Sequence, residues 1–171
     1  MLGTITLLSV MIIITVTFTG MQAIIDSSLQ SLRLSEIAES VAREIVELSS
    51  VHTLGEGKLT YMWLTLPSET RGQGYAIYLD NLGNGRFLVR VRLQTYQQVR
   101  VVVVPNFGER AVQIVTGEVK FSDNFYVSNK LLLPIPERLV NGMSVEGRPV
   151  IVAFDQGGKV YLGIGVIWGE G

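Results

Sequence analysis

Two hydrophobic rhythms divide the chain. Residues 1–25, MLGTITLLSVMIIITVTFTGMQAII, carry no charge and are apolar on every face of a helix. At about 1.5 Å per residue that run crosses the roughly 30 Å hydrocarbon layer of a bilayer. From Asp26 the pattern turns amphipathic. Leu34, Ile37, Val41, Ile45 and Leu48 recur at three- and four-residue spacing, while Glu36, Arg43, Glu44 and Glu47 fall off that stripe. Glu39 and Arg43 stand four apart, the spacing of a helical ion pair. No proline interrupts the segment, and Gly55 and Gly57 mark a stop just after His52. The pattern predicts one helix over residues 2–52, roughly 75 Å long and more than twice the hydrocarbon thickness. Half of it must leave the membrane. The stripe on that half then needs a partner: the chain's own globular part, a second copy of the helix, or both.

After Gly57 the period shortens to two, and glycines and prolines cluster, which marks strands joined by turns. The clearest strand covers residues 86–93, where Phe87, Val89, Val91 and Leu93 alternate with Arg86, Leu88, Arg90 and Arg92. One of its faces belongs to a core and the other is basic and wet. Residues 58–66 and 99–104 are apolar on both faces, as strands covered on both sides or lying against the helix would be. Further strands are expected at 75–80, 111–115, 118–121, 149–154 and 159–168, with hairpin turns at 81–85 and 155–158. Seven or eight short strands favour an antiparallel sandwich or barrel. The expected fold is α+β, a long N-terminal α-helix followed by an antiparallel β-sandwich head. Residues 1–54 form the helical part, apolar over 1–25 and amphipathic over 26–52, and residues 55–171 form the head.

Composition narrows the chemistry. The 171 residues carry 14 basic and 15 acidic side chains, so no long-range field gathers phosphates and nucleic-acid binding is not predicted. A hydrophobic share of 47% against 17% charged excludes intrinsic disorder. Without cysteine there are no disulfides, thiolate nucleophiles or thiolate metal sites. His52 is the sole histidine, so no Ser-His-Asp set or imidazole cluster can be assembled, and its place in the last helical turn suits the C-terminal end of the helix dipole. Asp80, Asn81 and Asn84 miss the spacing of a calcium loop and read as a hairpin turn. Gly72, Gly74, Gly83, Gly85, Gly163 and Gly165 open no helix after a strand, so they are turn or close-contact glycines and not phosphate cradles. Arg86, Arg90, Arg92 and Arg100 read as a solvated strand face, with the acidic helix surface of another copy as a natural counter-charge. Tyr61, Trp63, Tyr75, Tyr78, Phe125, Tyr126, Tyr161 and Trp168 read as core and rim aromatics. No catalytic residue, cofactor or metal is expected.

The uncharged apolar helix, its amphipathic continuation and the β-rich head together resemble the type IV pilin superfamily, and within it archaeal pilins and archaellins. The stretches that carry the resemblance are MLGTITLLSVMIIITVTFTG and LTLPSETRGQGYAIYLDN, the second similar to the Leu-Pro, Gly, Tyr-x-Ile/Val pattern of such heads. Members of that family lose a short basic leader to a dedicated peptidase, so Met1 is either the first residue after cleavage or a true start; a true start would remove the processing argument. Bacterial members carry Glu at the fifth mature position, whereas Ile5 stands here, which points away from the bacterial branch. The resemblance implies a structural subunit that polymerises through its apolar helix into an extracellular archaeal type IV pilus for surface adhesion. Its partners would be copies of itself, the membrane before assembly, and the pilus assembly machinery.

In such a filament neighbouring helices replace lipid, and Leu7, Leu8, Met11, Ile12, Ile14, Val16, Phe18 and Ile24 are the expected polymerisation core. Burying them at about 1.5–3 kcal/mol each opposes escape into water, and a heterologous, helically repeating contact leaves each end open for another copy. Two other classes stay open. A single-span, membrane-anchored surface protein, stator-like or a minor pilin, would pack the stripe from Leu34 to Leu48 on its own head, bind an envelope component and stay monomeric or dimeric in detergent. A membrane-tethered enzyme or ligand-binding domain would need a polar pocket in the head.

Overall fold

The first rhythm produces a single element. Helix α1 runs unbroken over Leu2–Leu54, a length of about 80 Å. The Gly55 N–H donates to the Val51 carbonyl at 2.9 Å and closes the last turn, so the helix stops at the expected glycine. The computed structural model describes residues 2–55, 57–70, 72–93, 98–140 and 143–169, with side chains described from Ser9 onward.

Among the described residues twelve strands follow: β1 (Leu59–Trp63), β2 (Tyr75–Gly83), β3 (Arg86–Leu93), β4 (Gln98–Val103), β5 (Val112–Ile114), β6 (Glu118–Ser122), β7 (Phe125–Ser128), β8 (Lys130–Leu133), β9 (Arg138–Val140), β10 (Met143–Val145), β11 (Gly147–Gln156) and β12 (Lys159–Trp168). One sheet has the order β1-β11-β12-β7-β6, with β5 also beside β12. The other has the order β4-β3-β2-β8, and β9 with β10 forms a separate ribbon. The fold is α+β, a long N-terminal helix followed by an antiparallel sandwich. One pairing departs from that rule: β5 lies parallel to β12, with Val112 opposite Val160.

The alternation of β3 builds the sandwich directly. Phe87, Val89, Val91 and Leu93 are fully buried, and Ile151, Ala153, Leu162 and Ile164 join them from the facing sheet. The amphipathic half of α1 completes the same core. Strands β4 and β1 are the edges of the two sheets on one side, and α1 packs against both. The helix therefore closes the open flank of the sandwich and covers two edges that would otherwise invite pairing with other chains. In residues 58–66 and 99–104 one face meets the helix, where Met62, Val99 and Val101 pack on the common core, but Leu59, Tyr61, Trp63, Val102 and Val104 on the other face stay exposed, so these strands are not covered on both sides.

Four strands were not legible beforehand. β7 and β8 have four residues each and β9 and β10 three each, too short for a period of two to declare itself. The first hairpin turn is also tighter than residues 81–85. β2 continues to Gly83, and the loop is Asn84-Gly85, with φ of 53° and 69°, the two-residue geometry that matches strand twist. Likewise β11 and β12 extend to Gln156 and from Lys159, leaving Gly157-Gly158 as the turn.

Gly163 and Gly165 are close-contact glycines. A Cβ on Gly163 would lie 2.4 Å from the Val127 side chain, and one on Gly165 would lie 2.7 Å from the Tyr126 carbonyl. Their bareness lets β7 lie close against β12 on the outer face of the larger sheet. There Val115, Val127, Val150, Val152 and Phe154 form a second, smaller core, and the Phe125 ring reaches Tyr61 at 6.1 Å. Of the aromatics expected in core and rim, Tyr75 is buried in the sandwich, whereas Tyr61 and Trp63 stand half-exposed on this outer face.

Candidate polymerisation and membrane-crossing helix

Helix α1 has two halves with opposite surroundings. Over the described side chains from Ser9 to Leu32, every apolar residue faces outward. Met11, Ile12, Ile14, Val16, Phe18 and Ile24 are 57–68% exposed. Leu7 and Leu8 lie outside the described side chains. Val10, Ile13, Met21 and Ile25 are as open as the residues singled out from the sequence, so no stripe is set apart and the cylinder is apolar all round.

The hydroxyls on this cylinder are turned inward. Thr15 donates to the Met11 carbonyl at 2.8 Å, Thr17 to Ile13 at 2.7 Å, Thr19 to Thr15, and Ser28 to Ile24 at 2.9 Å. A helix that satisfies its own backbone and hydroxyl groups is compatible with a dry environment. By length and composition α1 is able to cross a membrane.

From Leu34 the helix changes character. Leu34, Ile37, Val41, Ile45 and Leu48 are all buried against the head. Ala38 and Ala42 widen the stripe, their small side chains letting α1 lie close to the strands. The open question of the stripe's partner is thus answered within one chain: its own head covers it. The spacing of Glu39 and Arg43 does not produce an ion pair, because Glu39 accepts a hydrogen bond from the Ser35 hydroxyl at 3.2 Å instead. Long exposed side chains lose rotamer entropy on pairing and gain little in water.

His52 ends the buried half. It is fully buried, with Nδ1 2.9 Å from Thr60 Oγ1 and Nε2 3.3 Å from Asp155 Oδ1. The Asp155 carboxylate accepts from Nε2–H, so in the neutral ring Nδ1 accepts from the Thr60 hydroxyl. Asp155 in turn receives Arg110 Nη1 at 3.0 and 3.2 Å, and the Phe107 ring meets the imidazole edge-on at 5.8 Å. The sequence placed His52 at a helix end; it held no sign of a partner 103 residues away. Among the described residues no group of three or more His, Asp or Glu side chains converges as a metal site requires.

At the opposite end the helix leaves the head beside residues 64–70. The Tyr75 hydroxyl donates to the Pro67 carbonyl at 2.5 Å and pins that loop, and burial pushes the phenol's pKa up. A cleft of about 370 Å³ opens there between Arg33, Ile37 and Ser40 of the helix and Leu66, Pro67 and Thr70 of the loop. On the basic face of β3, Arg90 pairs with Asp80 at 3.0 Å and lies over the Tyr78 ring at 4.6 Å, directly across from Arg100. Asp80 thus serves a strand contact, and the Asn81 side-chain oxygen accepts from the Gly83 N–H at 2.7 Å in the hairpin bulge.

No protein-family model, curated protein or solved structure matches the chain. Its reading rests on the geometry of α1.

Proposed function

We propose that this chain is a filament subunit of the type IV pilin kind, which waits in a membrane through the outer half of α1 and then polymerises through it. What supports the reading is the naked cylinder over residues 9–25. It is apolar on all sides and projects from a head whose core is complete without it. In water such a surface costs about 25 cal/mol per Å² of apolar area, so it requires lipid or other helices around it. Neighbouring copies satisfy it on every side at once, and the repeating contact propagates into a fibre with the heads outside. Adhesion to surfaces, carried by the heads, is the role we assign to that fibre, and its place is the cell exterior.

A second reading is favoured by one observation. The Leu34 to Leu48 stripe is wholly occupied by its own head, as a single-span anchored surface protein requires. In that reading lipid, and not sister helices, is the lasting surroundings of residues 9–25. Negative-stain microscopy of material sheared from cells separates the two. Long thin fibres containing this chain are expected for the filament subunit. Recovery of the chain solely in the membrane fraction, as a monomer or dimer in detergent, overturns it in favour of the anchor.

A further inference from the structure

The smaller sheet turns one face to its core and the other to water, and the wet face is strongly basic. Lys130 is registered opposite Tyr78, Tyr78 opposite Arg90, and Arg90 opposite Arg100, so a single row crosses β8, β2, β3 and β4 in turn. At about 4.8 Å per strand the row is about 14 Å long. One phenol ring holds two of its cations, with the Arg90 guanidinium 4.6 Å and the Lys130 ammonium 5.5 Å from the Tyr78 centroid. Arg86 and Arg92 stand on the same face by the alternation of β3. The sole carboxylate of these four strands is Asp80, which Arg90 holds at 3.0 Å. Five cations thus share the face with one carboxylate, in a chain whose net charge is −1. Like charges directly across a strand pair destabilise a sheet. A bound anion beside Arg90 and Arg100 relieves that repulsion.

Beside this row the face dips. Ala76 is registered between Arg92 and Leu132, and its single methyl sets a low floor among longer side chains. The result is a trough of about 530 Å³, lined by Tyr78, Arg92, Leu132, Pro134 and Pro136 as well as by Ala76. That volume is in the range of small-ligand sites. Apart from Arg92 and the tyrosine hydroxyl these walls are apolar, and Leu132 is 56% exposed on one of them. A row of cations running along an apolar trough is matched by a chain molecule that carries both anionic groups and apolar ring faces. Guanidinium forks suit carboxylates in particular.

Two other polyanions fit less well. Single-stranded nucleic acid is held by bases stacked on open aromatic rings, whereas the Tyr78 ring is engaged by Arg90 and Lys130. The exposed side of α1 in a second copy has Glu36, Glu39 and Glu47, but Arg33 and Arg43 stand exposed among them, so it offers no unbroken acidic line to a row of cations. Sugar rings present C–H faces to apolar walls and need no aromatic stack. Uronic acids add a carboxylate to each ring.

We propose that the outer face of the β4-β3-β2-β8 sheet binds an acidic polysaccharide, whose carboxylates meet Lys130, Arg90 and Arg100 and whose rings lie along the trough over Ala76. This names a ligand for the adhesion assigned to the heads and rests on that role. Polymerisation through α1 is a separate property with its own readout, the sheared fibres.

The test titrates the full-length chain, in a sugar-free polyoxyethylene detergent, into a fluorescently labelled alginate hexasaccharide and reads Kd from anisotropy at low salt. Lys130 and Arg100 are exposed, so Arg100→Ser combined with Lys130→Ser keeps the head folded and is expected to weaken binding about tenfold or more. Ala76→Leu fills the trough without touching a charge and is expected to weaken it about fivefold; circular dichroism checks its fold, and the double variant carries the test if that fold is lost. Arg43→Ser removes a positive charge from the exposed side of α1 and is expected to stay within about twofold of the parent. No binding by the parent overturns the proposal, as does an unchanged Kd in the double variant or an equal loss in Arg43→Ser. Polyglutamate of the same charge competing as well as unlabelled alginate marks a bare charge patch and also overturns it. So does salt-sensitive self-association that both the double variant and Glu36→Gln abolish, which gives the face to a second copy. Fibres whose subunits ignore alginate overturn this proposal and leave the filament reading intact, whereas alginate binding by a chain recovered solely from membranes upholds the site and overturns the filament.

Discussion

Leu32 and Leu34 are two residues apart on one helix and live in different worlds. Leu32 is 57% exposed, and Leu34 is fully buried beneath the sandwich. The same contrast separates Val16 from Val41 and Ile14 from Ile45. Secondary structure is identical on both sides of the divide, so it carries no information about where stability comes from. The inner half of α1 is a structural member of the head, replaceable only at the expense of its core. The outer half contributes nothing to that core and is free to be specified wholly by what surrounds it, lipid or sister helices.

Substitutions that treat the two halves alike should expose this difference, and the widest gap is expected from a buried charge. Ile45→Asp places a carboxylate in a dry core and should cost about 4 kcal/mol or more, enough to abolish the folded head. Ile14→Asp should leave the head's urea midpoint in detergent unchanged while costing insertion of the outer helix about 3 kcal/mol, read as a reduced inserted fraction in membrane vesicles. Equal loss of head stability in the two would break the comparison. Next in size, Leu34→Ala should lose about 3 kcal/mol in denaturant titration through lost contacts and a cavity, whereas Leu32→Ala should stay within about 0.5 kcal/mol of the parent.

His52→Ala tests how firmly the end of the inner half is tied down. It leaves Thr60 and Asp155 without their shared ring and opens space beside Phe107, an expected loss of about 2 kcal/mol by thermal or urea unfolding. The smallest effect belongs to a pair far from the helix. Lys120 and Asp123 lie 2.6 Å apart, and their bond holds the lysine pKa up and the carboxyl pKa down. A depressed carboxyl stabilises above its unfolded pKa and gives that up as pH falls through the folded one. A raised lysine stabilises below its unfolded pKa and loses that as pH rises through its folded value. Both side chains are largely in water, so screening erases the gain, and Asp123→Asn should give the same unfolding midpoint as the parent at pH 7 and pH 3.

The sequence made the helix, the basic-faced strand β3 and the terminal hairpin legible, because each repeats a period long enough to read. β3 and β12 match the expected bounds, residues 86–93 and 159–168. The short strands β7 to β10 escaped because three or four residues are too few for an alternating pattern to show. The parallel seat of β5 beside β12 comes from tertiary arrangement alone. For α1, spacing located the stripe from Leu34 to Leu48 but left three coverings open, and burial within the head selects one of them. The outer segment was legible as apolar throughout, and that uniformity is also why no subset of its side chains stands out.

One consequence of the helix's seat concerns mechanical load. α1 runs up the flank of the sandwich to His52, and β1 returns alongside it toward the exit end, with Thr60 beside His52 and Leu66 beside Ile37. A pull on the outer helix is thus directed along the strands and shears the whole Leu34–His52 seam at once, with no free edge from which to peel it. Rupture must break those contacts together, so the seam gives the head a slow, force-resistant tether to whatever grips the other end of α1.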